Sequence, residues 1–262
     1  MFSIYTSLYR ISEPNCFIDW KSALDNFSDF SNQIVVATFQ DNSEDIEVLE
    51  NYSRTNKKIK IVTVDTDVSD PFFDGKLKNG ALKECNEEFC ILCDGDERLR
   101  ILDKPNWEKA AQYLRQLDNI DAFFIPVIDL FNTEREFRSL GQKWYLHKNL
   151  PNLNRGVVGF AKTQNNTINP NLSDSCELIY DDNTLCRTMS LVNTLNIKEI
   201  HDLGMKIFHL GWLDKYKRLL ANQFWGNIWD ARAGYKVNNI IQTKEELDEI
   251  PYWPHRLKLW YE

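Results

Sequence analysis

Apolar and polar residues follow one another in regular blocks over the first hundred positions. Phe2 to Leu8 alternates and is β-prone, which predicts a first strand ending near Thr6-Ser7-Leu8-Tyr9. Pro14 opens a predicted helix to about Phe30, with Phe17, Trp20, Leu24 and Phe27 at helical spacing. Gln33 to Phe39 is a mainly apolar run of strand length, hence a buried second strand. Ser43 is placed to cap a helix from Glu44 to about Thr55, with Ile46, Leu49 and Tyr52 facing inward. Ile59 to Val64 reads as a third strand, Lys76 to Glu84 as a helix, and Phe89 to Cys93 as a fourth strand. Four alternations of strand and helix predict a parallel sheet with right-handed crossovers, doubly wound, with helices on both faces.

Beyond residue 100 the pattern loosens. Trp107 to Leu117 predicts a helix, Ala122 to Ile128 a strand, and Arg135 to Leu146 a strand pair carrying Trp144 and Tyr145. Asn149 to Ser175 is rich in Asn, Pro and Gly and reads as loops around a short strand, Gly156 to Phe160. Met205 to Phe208 is a further strand, followed by a long amphipathic helix from Leu213 to about Arg232 and an acidic, then aromatic tail. No composition break suggests a linker. The expectation is one domain over 1–262, its first hundred residues forming one half and 101–262 the other.

Composition narrows the class. Hydrophobic content of 43% with 27% charged residues predicts a soluble globular protein, and a net charge of −8 argues against a nucleic-acid partner. No apolar run is long enough to span a bilayer, and no basic segment precedes an apolar one at the N-terminus. Those features predict a cytoplasmic protein, with the aromatic tail left as a sheet cover, a partner dock or a peripheral membrane contact. Cys85, Cys90 and Cys93 have an iron–sulfur-like spacing. Cys90 and Cys93 fall inside the predicted fourth strand, however, where residues three apart face opposite ways. Buried reduced thiols are the expectation.

The fourth strand stops in Asp94-Gly95-Asp96-Glu97. Carboxylates at the carboxyl end of a parallel strand lie where such sheets bind ligands, and a glycine between them permits a tight turn. Two close carboxylates repel unless a cation intervenes, and hard oxygen ligands suit Mg²⁺ or Mn²⁺. A solvated acidic turn is the plain alternative. Thr6, Asp41 with Ser43, and Asp65 with Asp67 follow the other three strands, so four polar clusters converge on one crevice. A metal-ready crevice of this kind suits a ligand carrying a diphosphate.

Together these residues resemble a family 2 glycosyltransferase of the GT-A fold, over roughly residues 1–100. Gln40-Asp41-Asn42-Ser43-Glu44-Asp45 is similar to that family's acidic cluster after the second strand, with Gln40 in place of one carboxylate. The resemblance implies that Asp41, with Thr6 and Ser43, lines the pocket of the donor's base. It places Lys76 and Asn79, from Lys76-Leu77-Lys78-Asn79-Gly80, near the nucleotide. By the same likeness Asp94 faces ribose and metal, and Asp96 ligates the cation bridging the diphosphate. The implied activity is transfer, with inversion, of a hexose from a nucleoside diphosphate sugar, a UDP-sugar favoured, to a glycan, lipid-linked or small-molecule hydroxyl.

The second half resembles the family less closely. Asp181-Asp182-Asn183-Thr184-Leu185-Cys186-Arg187 is the nearest stretch to the segment that carries the family's general base. Asp182 is the candidate base, Glu177 the reserve, and an ordinary turn at 181–183 the competing reading. His209, in His209-Leu210-Gly211-Trp212, is either a metal or diphosphate ligand or a structural histidine. Trp212 is a candidate acceptor platform, since aromatic faces stack on sugars. A haloacid-dehalogenase-like phosphatase would place its Asp-x-Asp on the first strand. A sugar nucleotidyltransferase would want a Gly-rich loop where Thr6-Ser7-Leu8-Tyr9-Arg10-Ile11 stands. A non-catalytic carbohydrate- or nucleotide-binding protein is the remaining alternative.

Overall fold

The computed structural model describes residues 1–70, 72–157, 176–182, 184–190, 199, 202–214 and 219–220. For 138–145, 156–157, 176–177 and 190 it describes the backbone alone. The predicted strand to Phe160, the helix to Arg232 beyond its first residues, and the aromatic tail lie outside the described residues.

The predicted alternation is present. β1 (Phe2–Ser7), α1 (Trp20–Phe30), β2 (Gln33–Phe39), α2 (Ser43–Ser53), β3 (Ile59–Val64), α3 (Phe73–Lys83) and β4 (Phe89–Leu92) follow in order. β1 pairs in parallel with β2 and β4, and β2 with β3, giving the order β3-β2-β1-β4. Stepping from β1 out to β3 and back to β4 reverses direction beside β1. Right-handed crossovers then put α1 and α2 on one face and α3 on the other. Every residue of β1 and β4 is accordingly buried.

The remainder is mixed. β5 (Glu97–Leu99), α4 (Lys104–Gln116), β6 (Ala122–Phe131), β7 (Thr133–Lys148), β8 (Leu153–Val157), β9 (Cys176–Tyr180), β10 (Thr188–Ser190) and β11 (Ile207–Trp212) complete the described elements. The large sheet runs β3-β2-β1-β4-β7-β6-β11-β5, with β10 also on β6, while β8 and β9 form a separate pair. β7 is antiparallel to both β4 and β6. The expected strand pair over 135–146 is instead one strand of 16 residues. Its partner is β6, reached through Asn132, whose φ of 61° makes the reversal. Asn tolerates this left-handed conformation better than most residues.

Helix starts differ from expectation: α3 begins at Phe73 and α4 at Lys104, each three residues earlier than expected, and α1 and α2 differ as well. Residues after Pro14 are not helical, because the chain from Leu8 to Asp19 is laid across the strand ends before α1 begins at Trp20. Ser12 is tied there by its backbone N–H (2.9 Å) and hydroxyl (2.7 Å) to Asp45 Oδ1. α2 is capped by Asn42, not Ser43: Asn42 Oδ1 accepts from Asp45 N at 3.1 Å. The core is apolar on both faces of the sheet, with Ile4, Phe27, Phe30, Ile34, Phe73 and Trp107 fully buried. Cys85, Cys90 and Cys93 are buried free thiols, and burial pushes the Cys90 thiol's pKa well up. Among the described residues, no helix is long and apolar enough to cross a membrane.

Candidate functional site

The carboxyl ends of β1 to β4 share one edge of the sheet, and strand order reverses between β1 and β4. Open α/β sheets bind ligands at such a reversal. The turn after β4 is built tightly. Asp94 N donates to Glu97 Oε2 (2.8 Å), and Glu97 N donates to Asp94 O (2.9 Å). Gly95 is required by a close approach, since a Cβ there would stand 2.7 Å from Leu8 Cδ2 and 2.8 Å from Ile18 Cγ2. Beneath the turn, the buried Arg98 guanidinium donates to Gly95 O (3.2 Å), Glu97 O (2.7 Å) and Asp19 O (2.9 Å). The 8–19 segment and the carboxylate turn are thereby locked together.

Asp94 has a cationic partner. Lys78 Nζ lies 2.9 Å from Asp94 Oδ1 and 3.0 Å from Asp74 Oδ2, and Ser7 Oγ donates to Asp74 Oδ1 at 2.9 Å. Asp74 and Lys78 are four apart on α3, so they present on one face. Lys76, two residues earlier, points elsewhere: it is exposed and pairs with Asp70. Asn79 Oδ1 accepts from Arg155 N at 3.3 Å.

Asp96 meets a histidine brought from far along the chain. β11 lies between β6 and β5, and its register sets His209 beside Asp129 and Glu97. Leu210 N donates to Asp96 O (2.8 Å), His209 Nε2 lies 3.1 Å from Asp96 Oδ2, and Nδ1 lies 2.6 Å from Asp129 Oδ1. Burial pushes the His209 pKa down, but the two carboxylates outweigh it and raise it to about 10. Without a metal, His209 is therefore an imidazolium donating from both nitrogens.

Asp94 and Asp96 side chains stay 27% and 24% open, which leaves both carboxylates reachable from solvent. Two carboxylates and an imidazole suit Mg²⁺ or Mn²⁺. The 3.1 Å between Asp96 Oδ2 and His209 Nε2 also suits neighbouring ligands of an octahedron with bonds of ~2.1 Å, which sit ~3.0 Å apart. Among the described residues no three such groups are gathered as a metal site, because Asp94 turns to Lys78.

Over the carboxyl ends of β2 and β3 lies a cavity of about 580 Å³, whose lining includes Arg10, Glu13, Phe39, Asp41, Ser43 and Asp67; Asp94, Asp96 and His209 do not line it. Asp41 and Ser43 are exposed on it. Arg10, at a left-handed φ of 57°, pairs through Nε and Nη2 with Glu13, both at 2.6 Å. Thr6 is fully buried within β1, its Oγ1 without a hydrogen-bond partner among the described residues, and is not part of that lining.

The second-half candidates are dispersed. Asp182 is exposed after β9, where its Oδ1 accepts from Thr184 N (3.0 Å) and Oγ1 (2.7 Å), a local turn that lowers its pKa. Glu177 is on β9, and its side chain lies outside the described residues. Arg187 binds the buried Asp121 through Nε (3.0 Å) and Nη2 (2.8 Å). Trp212 is buried against Phe131, ring centres 6.0 Å apart. The structure brings His209 against Asp96, turns Asp94 to Lys78, and puts Asp41 with Ser43 in one cavity. It adds Asp74, Lys78, Arg98 and Asp129, which sequence reasoning missed. Asp74 and Lys78 carried a signal in their i,i+4 spacing; Asp129 carried one as the single charged residue of an otherwise apolar strand.

No family model and no curated protein matches the chain. Among solved structures it is similar to S. aureus TarS 1-349 in complex with UDP-GlcNAc, at 13% identity and a TM-score of 0.37, covering 91% of this chain and 74% of that one. A shorter alignment with TarS 1-349 reaches 20% identity but spans only 35% of that chain. The mannosyltransferase PcManGT from Pyrobaculum calidifontis, in complex with GDP-Man and Mn²⁺, matches at 14% identity and a TM-score of 0.35, over 47% of this chain and 34% of that one. HddC from Yersinia pseudotuberculosis matches at 11% identity and a TM-score of 0.43, over 83% and 97%.

Proposed function

We propose that the chain is a glycosyltransferase using a nucleoside diphosphate sugar, a UDP-sugar favoured, with Mn²⁺ or Mg²⁺. The observation that carries this reading is the Asp94-Gly95-Asp96 turn at the strand-order reversal, with Lys78 against Asp94 and His209 against Asp96, and with an Asp41-lined cavity over the ends of β2 and β3 in the same sheet. Asp41 and Ser43 would hold the base and ribose in that cavity. Asp94, Asp96 and His209 would hold the cation, whose charge would stabilise the leaving diphosphate. Lys78, buried behind Asp94, adds a fixed positive charge to the same side of the site. The acceptor would be a glycan, lipid-linked or small-molecule hydroxyl, whose oxygen would attack the donor's anomeric carbon in line, with inversion and departure of the nucleoside diphosphate. Asp182 or Glu177 is the proposed base that takes its proton.

The deciding experiment is a thermal-shift panel of nucleoside diphosphates and their sugars, each with and without Mn²⁺. A ligand that binds the native state alone raises Tm by mass action. A metal-dependent rise with one diphosphate supports the reading and identifies the base. A flat response across the panel would reject it in favour of a binding module of the same fold.

A further inference from the structure

Asp129 has no part in the reading above, yet its position is unusual. It is the single charged side chain of β6, whose other nine residues are Ala, Phe, Phe, Ile, Pro, Val, Ile, Leu and Phe. Parallel register with β11 sets it directly beside His209, and its Oδ1 lies 2.6 Å from His209 Nδ1. The other ring nitrogen, Nε2, is thereby aimed at Asp96 Oδ2, 3.1 Å away. An imidazole that ligates a metal through one nitrogen usually donates the other N–H to a carboxylate, which fixes both tautomer and ring orientation.

We infer that Asp129 is a positioning residue: its carboxylate accepts a hydrogen bond from His209 Nδ1 and so keeps Nε2, which gives up its proton when a cation binds, facing a cation held at Asp96. The inference rests on the proposal that Asp96 and His209 bind a divalent cation. It assigns Asp129 no contact with substrate or metal. Because β6 and β11 are hydrogen-bonded neighbours in the sheet, the orientation is set by the fold itself and precedes any ligand.

The test uses the full chain with Asp129→Asn and Asp129→Glu. Mn²⁺ binding is followed by electron paramagnetic resonance in the presence of UDP, and the His209 ring is followed by its imidazole ¹⁵N shifts. Asp129→Asn should weaken Mn²⁺ binding by about 10- to 100-fold, compared at a temperature where circular dichroism shows both proteins folded. Asp129→Glu should recover part of the loss, and the ¹⁵N pattern should change in the Asn variant. Wild-type Mn²⁺ affinity in Asp129→Asn overturns the inference. If the wild type itself binds no Mn²⁺, the metal reading fails. The positioning claim is then decided by the ¹⁵N signals: a change in Asp129→Asn upholds it and an unchanged pattern overturns it.

Discussion

Lys78 Nζ sits 2.9 Å from Asp94 Oδ1, with only 7% of the lysine side chain exposed. The cation that faces the carboxylate turn is thus a side chain of α3, held from behind by Asp74 at 3.0 Å and, through Asp74, by Ser7. The relationship matters in two ways. It places one positive charge between Asp74 and Asp94 before any ligand arrives, and it ties α3 to the end of β4.

Lys78→Met should destabilise the protein by about 3 kcal/mol, because it leaves Asp74 and Asp94 facing each other with no cation between them. Chemical denaturation reads this directly. Adding Asp74→Asn to Lys78→Met should recover part of the loss, since one of the two stranded carboxylates is then gone. A fully additive double variant would show that the pair is not coupled as its geometry implies.

Gly95→Ala should cost about 1–3 kcal/mol, the usual range for overpacking. The added Cβ would meet Leu8 Cδ2 and Ile18 Cγ2 at 2.7 and 2.8 Å, so these two side chains of the 8–19 segment must shift. That segment carries Arg10 and Glu13 of the cavity, so nucleotide binding should weaken in parallel with stability. Calorimetric titration with UDP checks it; unchanged affinity would mean that segment and turn move independently.

Asp96→Asn and Asp182→Asn should separate two losses. The first should abolish any Mn²⁺-dependent rise in Tm with a donor, and should also lower the unliganded Tm, because His209 loses one of its two carboxylate partners. The second should keep donor binding and lose transfer. Normal turnover in Asp182→Asn would shift the base to Glu177, tested next as Glu177→Gln.

The first four strands and three helices were legible because each carries a full signal of its own: apolar runs bounded by turn residues, then helical spacing. The converging strand ends followed from that alternation alone. What was not legible depends on pairing across distance. β7 reads as a strand pair over 135–146 in sequence, and only its pairing with β6 makes it one strand. His209 was a candidate by residue type, but Asp129 became its neighbour only once β11 settled beside β6, 80 residues away. Lys76 and Lys78 are equally basic in sequence; the helical turn puts Lys78 with Asp74 and Asp94 and leaves Lys76 to Asp70.

A final prediction concerns pH and a buried network away from the carboxylates. Tyr5 OH lies 2.9 Å from His147 Nε2 and accepts from Arg155 Nε at 2.6 Å, and all three side chains are buried. Burial, reinforced by the Arg155 charge, lowers the His147 pKa from 6.5 to about 3. His147 is therefore neutral in the folded protein wherever the unfolded chain would already be protonated. Between about pH 6.5 and 3 the unfolded state binds the extra proton, so stability is fully present above 6.5 and falls as pH drops through that window. From pH 7 to pH 5 this single group should remove about 2 kcal/mol. Urea denaturation at the two pH values measures the total change, and His147→Gln should remove this share of it. If the pH dependence is the same in His147→Gln as in wild type, His147 is not held neutral and the network is wired differently. Tyr5→Phe should cost about 1–3 kcal/mol at either pH, because it strands a buried guanidinium N–H and an imidazole nitrogen at once.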